Sequence, residues 1–363
     1  MSNTFQIVIA CGGTGGHVFP GMATGRVLVR RGHRAALWLS GQRSVENETL
    51  HGWDGPVFRT GARPLTLATV PAFLATLWRV WRELRRTRPD VVLAMGCYSS
   101  VPPVLAARLL GIPVVLHEAN AVPGKAVALL SRFARVTALS FPDSAHELPG
   151  RRTVCTGMPV RVELAGQPPL DGYAPVTAGA ATESTFTVLI TGGSLGAHAV
   201  NELACEALIL LHRRGVGVRA IHQCGDKDES DLRQRYTAAG AAVQVQAFLR
   251  EMGRAYASAD LAICRAGAAT CAELCLCGVP ALLIPLPAAV RDHQRLNAEA
   301  MAQVGGAWLR RQSDLTPESL AADVESLGRD ERRRTAMREA LRMLARPDAA
   351  DKLADLVEET SEQ

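Results

Sequence analysis

Lysine is almost missing from the 363-residue chain: Lys125, Lys227 and Lys352 are the only three among 40 basic residues. The rest are arginine, a bias that reads as base composition rather than as a set of phosphate-binding forks. The formal net charge is only +5, too small an excess to argue for nucleic acid. Long apolar runs are also missing. No stretch reaches the roughly 18 apolar residues of a membrane span. The opening MSNTFQIVIACGG has no basic region, and its apolar run is too short for a secretory signal. The nine cysteines are odd in number and form no regular framework, so the expectation is a cytosolic chain with reduced thiols. Cys264, Cys271, Cys275 and Cys277 cluster without zinc spacing, in a segment that reads as a buried helix. No glycine loop is followed by GK[ST], which excludes a Walker loop. The G-x-G-x-x-G fingerprint fails too. Counted from Gly13, its third glycine position is Val18, and the next strand ends LWLSGQ, with no acid for an adenosine ribose. Nicotinamide and flavin chemistry are disfavoured, and no cofactor is expected.

What the sequence does have is alternation. FQIVIA, RAALWLS, DVVLAMG, IPVVLHE and RVTALS read as strands of a first half, and TFTVLITGG, GVRAIHQCG, AVQVQAF, DLAICRAG and VPALLIP as strands of a second. Most are followed by small residues and then a helix-compatible run, the pattern of βα units building parallel sheets buried on both faces. The halves echo each other, VIACGGTGGH against VLITGGSLGA, across a Pro, Gly, Ala and Thr-rich insert, LAGQPPLDGYAPVTAGAATEST. The fold class predicted is α/β: two Rossmann-like domains with parallel sheets facing a central cleft. The expected boundaries are residues 1–163 and 164–344, with a C-terminal helix at about 345–363 packing back on the first domain. Ligands of such sheets bind outside the carboxyl ends of the strands, where both glycine loops fall.

A glycine loop lets the backbone approach a ligand closely, and the helix behind it offers unpaired N–H groups and a positive dipole end. The natural guest is an anion such as a diphosphate. His17 stands at such a helix start, where the dipole favours the neutral ring, able to accept a proton. In CRAGAATCAELCLCGVPALLIP, a carboxylate at Glu273 can accept from both hydroxyls of a ribose, and the backbone around Ala268 to Thr270 can receive phosphate. The triplet Asp226 to Asp228 matches the D-x-D of metal-dependent glycosyltransferases only formally. It lies in GDKDESDLRQRY, a charged loop entering a helix, and no metal is expected there.

GGTGGHVFPG, GCYSSVPPVLAARLLGIPVVLHEANAVPGKA, TGMPVR, TGGSLGA, CRAGAATCAEL and DHQRLNA occur in an order that resembles the MurG family, from about Ile7 to the C-terminal helices. These peptidoglycan glycosyltransferases add N-acetylglucosamine to undecaprenyl-diphosphate-linked muramyl-pentapeptide. The resemblance implies a GT-B fold and inverting, metal-independent transfer at the cytoplasmic face of the plasma membrane. Thr14, Gly15 and Gly16 would touch UDP-N-acetylglucosamine. His17 would be the general base for the muramyl 4-hydroxyl, with Glu118 the second candidate. Tyr98 and His117 match family cleft positions, and Asn120 would meet the donor sugar. Arg161 and Ser194 would bind the diphosphate and Leu249 the uracil through its backbone. Ala268, Ala269, Thr270, Cys271, Ala272 and Glu273 would form the ribose and phosphate loop, and Gln294 would hold the donor sugar. Where the family usually has HEQN, GNPVR, GGSQGA and GGY, this chain has Ala119, Met158, Leu195 and Cys97.

Other readings stay open at this level: a UDP-sugar:diacylglycerol transferase, a UDP-N-acetylglucosamine 2-epimerase, or a scaffold that binds UDP without turnover. A lipid-linked acceptor also calls for docking on an anionic membrane surface. LTLATVPAFLATLWRVWRELRRTRP, Leu65 to Pro89, carries Leu67, Val70, Phe73, Leu74, Leu77, Trp78 and Trp81 at helical spacing. Arg79, Arg82, Arg85, Arg86 and Arg88 crowd its end.

Overall fold

β-Branched and leucine-rich runs too short for helices pair side by side in two parallel sheets. A computed structural model of the chain describes residues 4–41, 46, 49–63, 66–173, 186–194 and 196–362, apart from the side chains of Leu67 and Val162. The chain divides into two compact units. Unit 1 is Met1–Arg161 with Arg346–Gln363, and unit 2 is Val162–Ala345. Of the insert, residues 174–185 lie outside the described residues. Its described part is tied to unit 2, with the Leu170 N–H donating to Ser258 Oγ at 2.8 Å.

Unit 1 holds β1 (Gln6–Ala10), β2 (Arg34–Leu39), β3 (Val57–Arg59), β4 (Val91–Ala94), β5 (Val114–Glu118), β6 (Val136–Leu139) and β7 (Thr153–Cys155). Their order is β3-β2-β1-β4-β5-β6-β7, with every pairing parallel. Unit 2 holds β8 (Phe186–Thr191), β9 (Val218–Gln223), β10 (Val243–Gln246), β11 (Leu261–Cys264), β12 (Ala281–Leu283) and β13 (Ala307–Leu309). Their order, β10-β9-β8-β11-β12-β13, repeats the same winding, again all parallel. In each sheet the order reverses beside the first strand, between β1 and β4 and between β8 and β11. That is the switch point at which open α/β sheets bind ligands.

Period-2 side-chain alternation builds a core on each face. In β1, Ile7 and Ile9 pack with α1 (Gly15–Arg30), while Val8 packs on the other side with Val80 and Leu84 of α2 (Val70–Thr87), Val104 of α3 (Val101–Leu110) and Val127 and Leu130 of α4 (Lys125–Leu130). The α1 face is closed by the last helix of the chain, Ala349–Ser361. This helix buries Ala350, Leu353, Ala354, Leu356 and Val357 against α1, β4 and β5. Arg31 fastens it, reaching Asp355 at 2.6 Å and Glu358 at 3.0 Å, and His33 Nε2 meets Glu358 at 2.9 Å. In unit 2, α5 (His198–Arg213) and α6 (Glu229–Ala239) cover one face. The other is covered by α7 (Met252–Ser258), α8 (Ala268–Cys277) and α9 (His293–Gln303).

The structure adds three strands the sequence pattern did not reveal: β3, β7 and β13. Each has three residues and sits at a sheet edge.

Candidate functional site

In unit 1 the chain leaves β1 through Gly12 and Gly13 and enters α1 behind Thr14. Gly13 takes φ +104°, a conformation an L side chain rarely adopts, and Tyr98 covers its Cβ side. The Gly12 N–H donates to Ser99 Oγ at 3.1 Å, which joins the β1 loop to the loop after β4 across the switch point. Thr14 is the extended N-cap residue of α1, but its side chain does not cap the helix. Its hydroxyl instead lies 3.3 Å from Nδ1 of His17. The His17 N–H donates to the Thr14 carbonyl at 3.1 Å, and no Thr14 side-chain bond caps the Gly15 and Gly16 N–H groups ahead of it.

Glu46 is a functional neighbour that the sequence did not disclose. Its buried carboxylate accepts the Gly13 N–H at 2.6 Å, the Gly41 N–H at 2.6 Å and the Ser40 hydroxyl. One acid therefore pins the glycine loop to the end of β2. It is one of two glutamates in SVENETL, with no local pattern to mark it.

At the end of β5, His117 is fully buried, with Nε2 3.2 Å from Ser140 Oγ and 3.4 Å from the Gly157 carbonyl. Nδ1 has no hydrogen-bond partner among the described residues. Burial pushes the ring down to about 4, with His17 adding a smaller lowering against the Gly157 contact, so His117 is neutral at physiological pH. Glu118 is buried next to it. One of its oxygens accepts from the Asn120 N–H at 2.8 Å and its Nδ2 at 3.1 Å, and the other from the Gly124 N–H at 2.9 Å. Burial raises its carboxyl and these bonds oppose the rise. Both oxygens are engaged in holding the 120–124 turn, and of the two base candidates Glu118 is buried and His17 half-exposed. Asn120 is half-exposed. Arg161 lays its guanidinium 4.1 Å above the Phe19 ring of α1. Met158, in place of the family's asparagine, accepts the Ser140 hydroxyl on its sulfur at 3.5 Å; Ala119 and Cys97 are buried.

Unit 2 repeats the plan with different loops. After β8, Thr191 Oγ1 accepts the Gly193 N–H at 3.1 Å, and Gln223 Nε2 donates to the Gly193 carbonyl at 3.1 Å. Ser194 follows, half-exposed; Leu195 lies outside the described residues. After β11, α8 starts at Ala268 with Gly267 as an extended N-cap, so Ala268, Ala269, Thr270 and Cys271 form its first turn, and Ala272 and Glu273 follow in the second. Glu273 is not a solvated helix glutamate. It is 8% exposed, and Tyr256 donates its hydroxyl to Oε2 at 2.9 Å. Asn297 of α9 donates to the Ala266 carbonyl at 3.1 Å, tying α9 to the same loop. Gln294, in the first turn of α9, accepts the Leu286 N–H at 3.0 Å, just after two left-handed non-glycine residues, Arg291 and Asp292. Leu249 is buried beyond β10.

Two side features resolve as local structure. Both oxygens of Asp228 are engaged, by Asn201 at 2.6 Å and His198 at 3.0 Å. The cysteine cluster lies along β11 and α8, where burial pushes Cys264 up to about 12 and Cys271 well above a normal thiol. Among the described residues no group of three or more His, Cys, Asp or Glu could hold a metal ion, and no helix is long and apolar enough to cross a membrane.

The basic, apolar segment forms α2, and its faces separate. Thr76, Val80 and Leu84 are buried, and Leu77 and Trp81 lie half-buried against the same core. Val70, Leu74 and Trp78, one turn apart, stay 40%, 57% and 58% exposed. Arg82 stacks on Trp78 at 4.7 Å and Arg85 on Trp81 at 5.2 Å. Leu65 lies outside the described residues.

Comparison with known proteins meets this geometry on both units. Residues 7–139 match the glycosyltransferase family 28 N-terminal domain and residues 187–353 the glycosyltransferase family 28 C-terminal domain. A relative from Xanthomonas axonopodis pv. citri is 39% identical over 97% of this chain and 81% of its own. One from Marinobacter nauticus is 39% identical over 96% of both. Each is named UDP-N-acetylglucosamine--N-acetylmuramyl-(pentapeptide) pyrophosphoryl-undecaprenol N-acetylglucosamine transferase. The crystal structure of Acinetobacter baumannii MurG superposes with a TM-score of 0.76 at 34% identity, covering 98% of this chain and all of that one. A UDP-N-acetylglucosamine 2-epimerase structure superposes at 0.71 with 14% identity, covering 100% of this chain and 98% of that one, a likeness of fold alone. The fold is α/β and GT-B, built from two Rossmann-like units.

Proposed function

The chain belongs to the MurG family within glycosyltransferase family 28, and on that premise we propose that it transfers N-acetylglucosamine from UDP-N-acetylglucosamine to the 4-hydroxyl of undecaprenyl-diphosphate-linked N-acetylmuramyl-pentapeptide. The observation that carries this reading is identity of 39% over nearly the whole length to transferases of that name. Fold likeness would not suffice, because a 2-epimerase shares it.

The residues divide the work in chemical terms. Unit 2 is the UDP-sugar side. Glu273 accepts the ribose hydroxyls, the first turn of α8 and Ser194 receive the diphosphate, Leu249 meets uracil through its backbone, and Gln294 holds the sugar. Unit 1 is the acceptor side. His17, with Nδ1 tied to Thr14, takes the proton as the muramyl hydroxyl attacks the anomeric carbon from the face opposite UDP. The departing diphosphate gathers negative charge. Helix N-termini and Arg161 offset that charge, the kind of electrostatic help a leaving diphosphate needs in the absence of a metal. Gly15 and Gly16 allow close approach by backbone, Tyr98 and His117 stand at the family's cleft positions, and Asn120, held by Glu118, meets the donor sugar.

The acceptor lives in a bilayer, so we place the protein as a peripheral one on the cytoplasmic face of the plasma membrane. What supports docking is the outward line Val70, Leu74 and Trp78, continued by Arg82 and Arg85. Indole rings and basic side chains favour an anionic headgroup layer.

The experiment is UDP release from UDP-N-acetylglucosamine with and without the lipid-linked muramyl-pentapeptide. Release that depends on this acceptor supports the reading. Interconversion of free UDP-sugars, release driven by diacylglycerol, or binding without release each overturns it.

A further inference from the structure

We propose that Tyr256 is a positioning residue for ribose recognition, holding Glu273 in the orientation that separates a ribonucleotide donor from a deoxyribonucleotide one. The inference rests on the reading of Glu273 as the ribose acceptor. It starts from an oddity of α8: Glu273, the residue meant to meet a ligand, is 8% exposed, and its carboxylate is fastened from the protein side. The fastener is the Tyr256 hydroxyl, 2.9 Å from Oε2. Tyr256 is itself 2% exposed, and its ring is embedded in the core cluster of Leu164, Leu249, Ala255, Cys264 and Leu274.

Two physical points turn this contact into a function. A glutamate has three side-chain torsions, and the last is broad and poorly defined. A phenol locked by core packing has no such freedom, so a bond from it to Oε2 fixes the plane of the carboxylate. The second point is chemistry. An ionised carboxylate is acceptor-only, with about four acceptor directions, so it pairs with hydroxyl donors, a phenol and a ribose alike. Burial, with Glu273 adding to it, raises the Tyr256 phenol well above its ordinary value, so it stays a donor at any working pH. A site built to bond a hydroxyl rejects a ligand lacking it more sharply when its acceptor cannot turn elsewhere. Tyr256 supplies that constraint. Tyr256 lies on α7 and Glu273 on α8, 17 residues apart in sequence, so the pairing exists only in the folded unit.

The test is calorimetric titration of the full-length protein with UDP and with 2′-deoxy-UDP, reading the ratio of the two dissociation constants. The native protein should prefer UDP by about tenfold or more, as a site with a dedicated hydroxyl partner does. Tyr256→Phe should bring that ratio to within about threefold by weakening UDP binding selectively, since it removes one hydrogen bond to a charged group. A merely structural role would weaken both ligands alike and leave the ratio where it was, which overturns the proposal. Glu273→Ala separates the inference from its premise. If that variant abolishes the preference and Tyr256→Phe keeps it, Tyr256 is not the positioning residue and the ribose reading stands. If Glu273→Ala keeps the preference, or the native protein has none, the ribose reading falls and the inference with it. Should Tyr256→Phe fail to fold because its carboxylate partner is stranded, the comparison moves to Glu273→Gln with and without Tyr256→Phe. Equal ratios in that pair mean that Tyr256 acts only through Glu273, and unequal ratios overturn it.

Discussion

Acidification should destabilise unit 2 through a single buried ring, His222, and the size of the effect can be worked out. His222 on β9 is fully buried between the Tyr236 hydroxyl at 3.0 Å and Asn201 at 3.2 Å. Burial pushes it down from 6.5 to about 3, with Asp228 opposing weakly. Between those two values the unfolded chain binds a proton that the folded unit refuses. Stability therefore rises with pH across this window and is complete above about 6.5. At 1.36 kcal/mol per unit of pKa difference, the loss on going from pH 7.5 to 5 is about 2 kcal/mol for this ring. Above pH 5 most carboxylates stay ionised and do not blur the reading. Unit 1 carries its own lowered ring, His117, but there Glu118 acts the other way. Its raised carboxyl favours the folded state as the pH falls, so the acid limb of unit 1 should be shallower. The assay is native-state hydrogen exchange at pH 7.5 and 5, corrected for intrinsic rates, on peptides from β9 and from β5. His222→Gln, which cannot titrate but can still donate and accept, should remove most of the slope in unit 2 and leave unit 1 unchanged. If His222→Gln kept the native slope, the buried neutral ring would not be its source, and the reasoning from burial to pH dependence would fail.

Three other outcomes follow from the geometry. His17→Ala should lower kcat by about 10²–10⁴-fold, the usual worth of a general base, with little change in UDP affinity by calorimetry; a kcat within about threefold would move the base role away from His17. Glu46→Ala should cost roughly 2–4 kcal/mol of unit 1 stability, because Gly13 N–H and the Ser40 hydroxyl are left buried without their acceptor, and faster amide exchange at the Gly13 loop should accompany the loss. Binding to anionic vesicles should fall with salt and drop on changing Arg82, Arg85 and Arg86 to Glu; sedimentation that ignores salt, or an active enzyme that never sediments, would return α2 to a purely structural role.

Central strands were legible because each is a compact apolar run bounded by small residues, and burial on both faces makes that run continuous. The three-residue edges β3, β7 and β13 carry too few residues for any period to show. α2 marks another limit. Seven apolar positions at helical spacing defined a face, yet the most buried positions are Thr76, Val80 and Leu84, none of them among the seven. Periodicity gave a face about half the helix wide, and only packing against Val92, Ala94 and Val104 decided which part of it entered the core. The site divides in the same way. Loops readable as motifs, around Gly13, Ser194 and Ala268, were legible because glycine and small residues are a local signal. Glu46 and Tyr256 were not, because each acts across the fold, 33 residues from Gly13 and 17 from Glu273.

Not every glycine in those loops is there for a ligand. A Cβ on Gly12 would lie 2.3 Å from Ser40 N, and one on Gly196 would lie 1.9 Å from the Cys224 carbonyl oxygen. Backbone packing alone demands glycine at both positions, and a fold with no ligand would keep them. Gly16 is different. It lies inside α1 with no positive φ, and the nearest atom to its missing Cβ is Thr14 Oγ1 at 3.7 Å, an ordinary contact. Alanine would fit there and would favour the helix by roughly 0.5–1 kcal/mol. The fold therefore gains nothing from glycine at this position. The empty space stands beside the open donors at the head of α1, one residue before His17, where a phosphate or sugar approaching the backbone would need it.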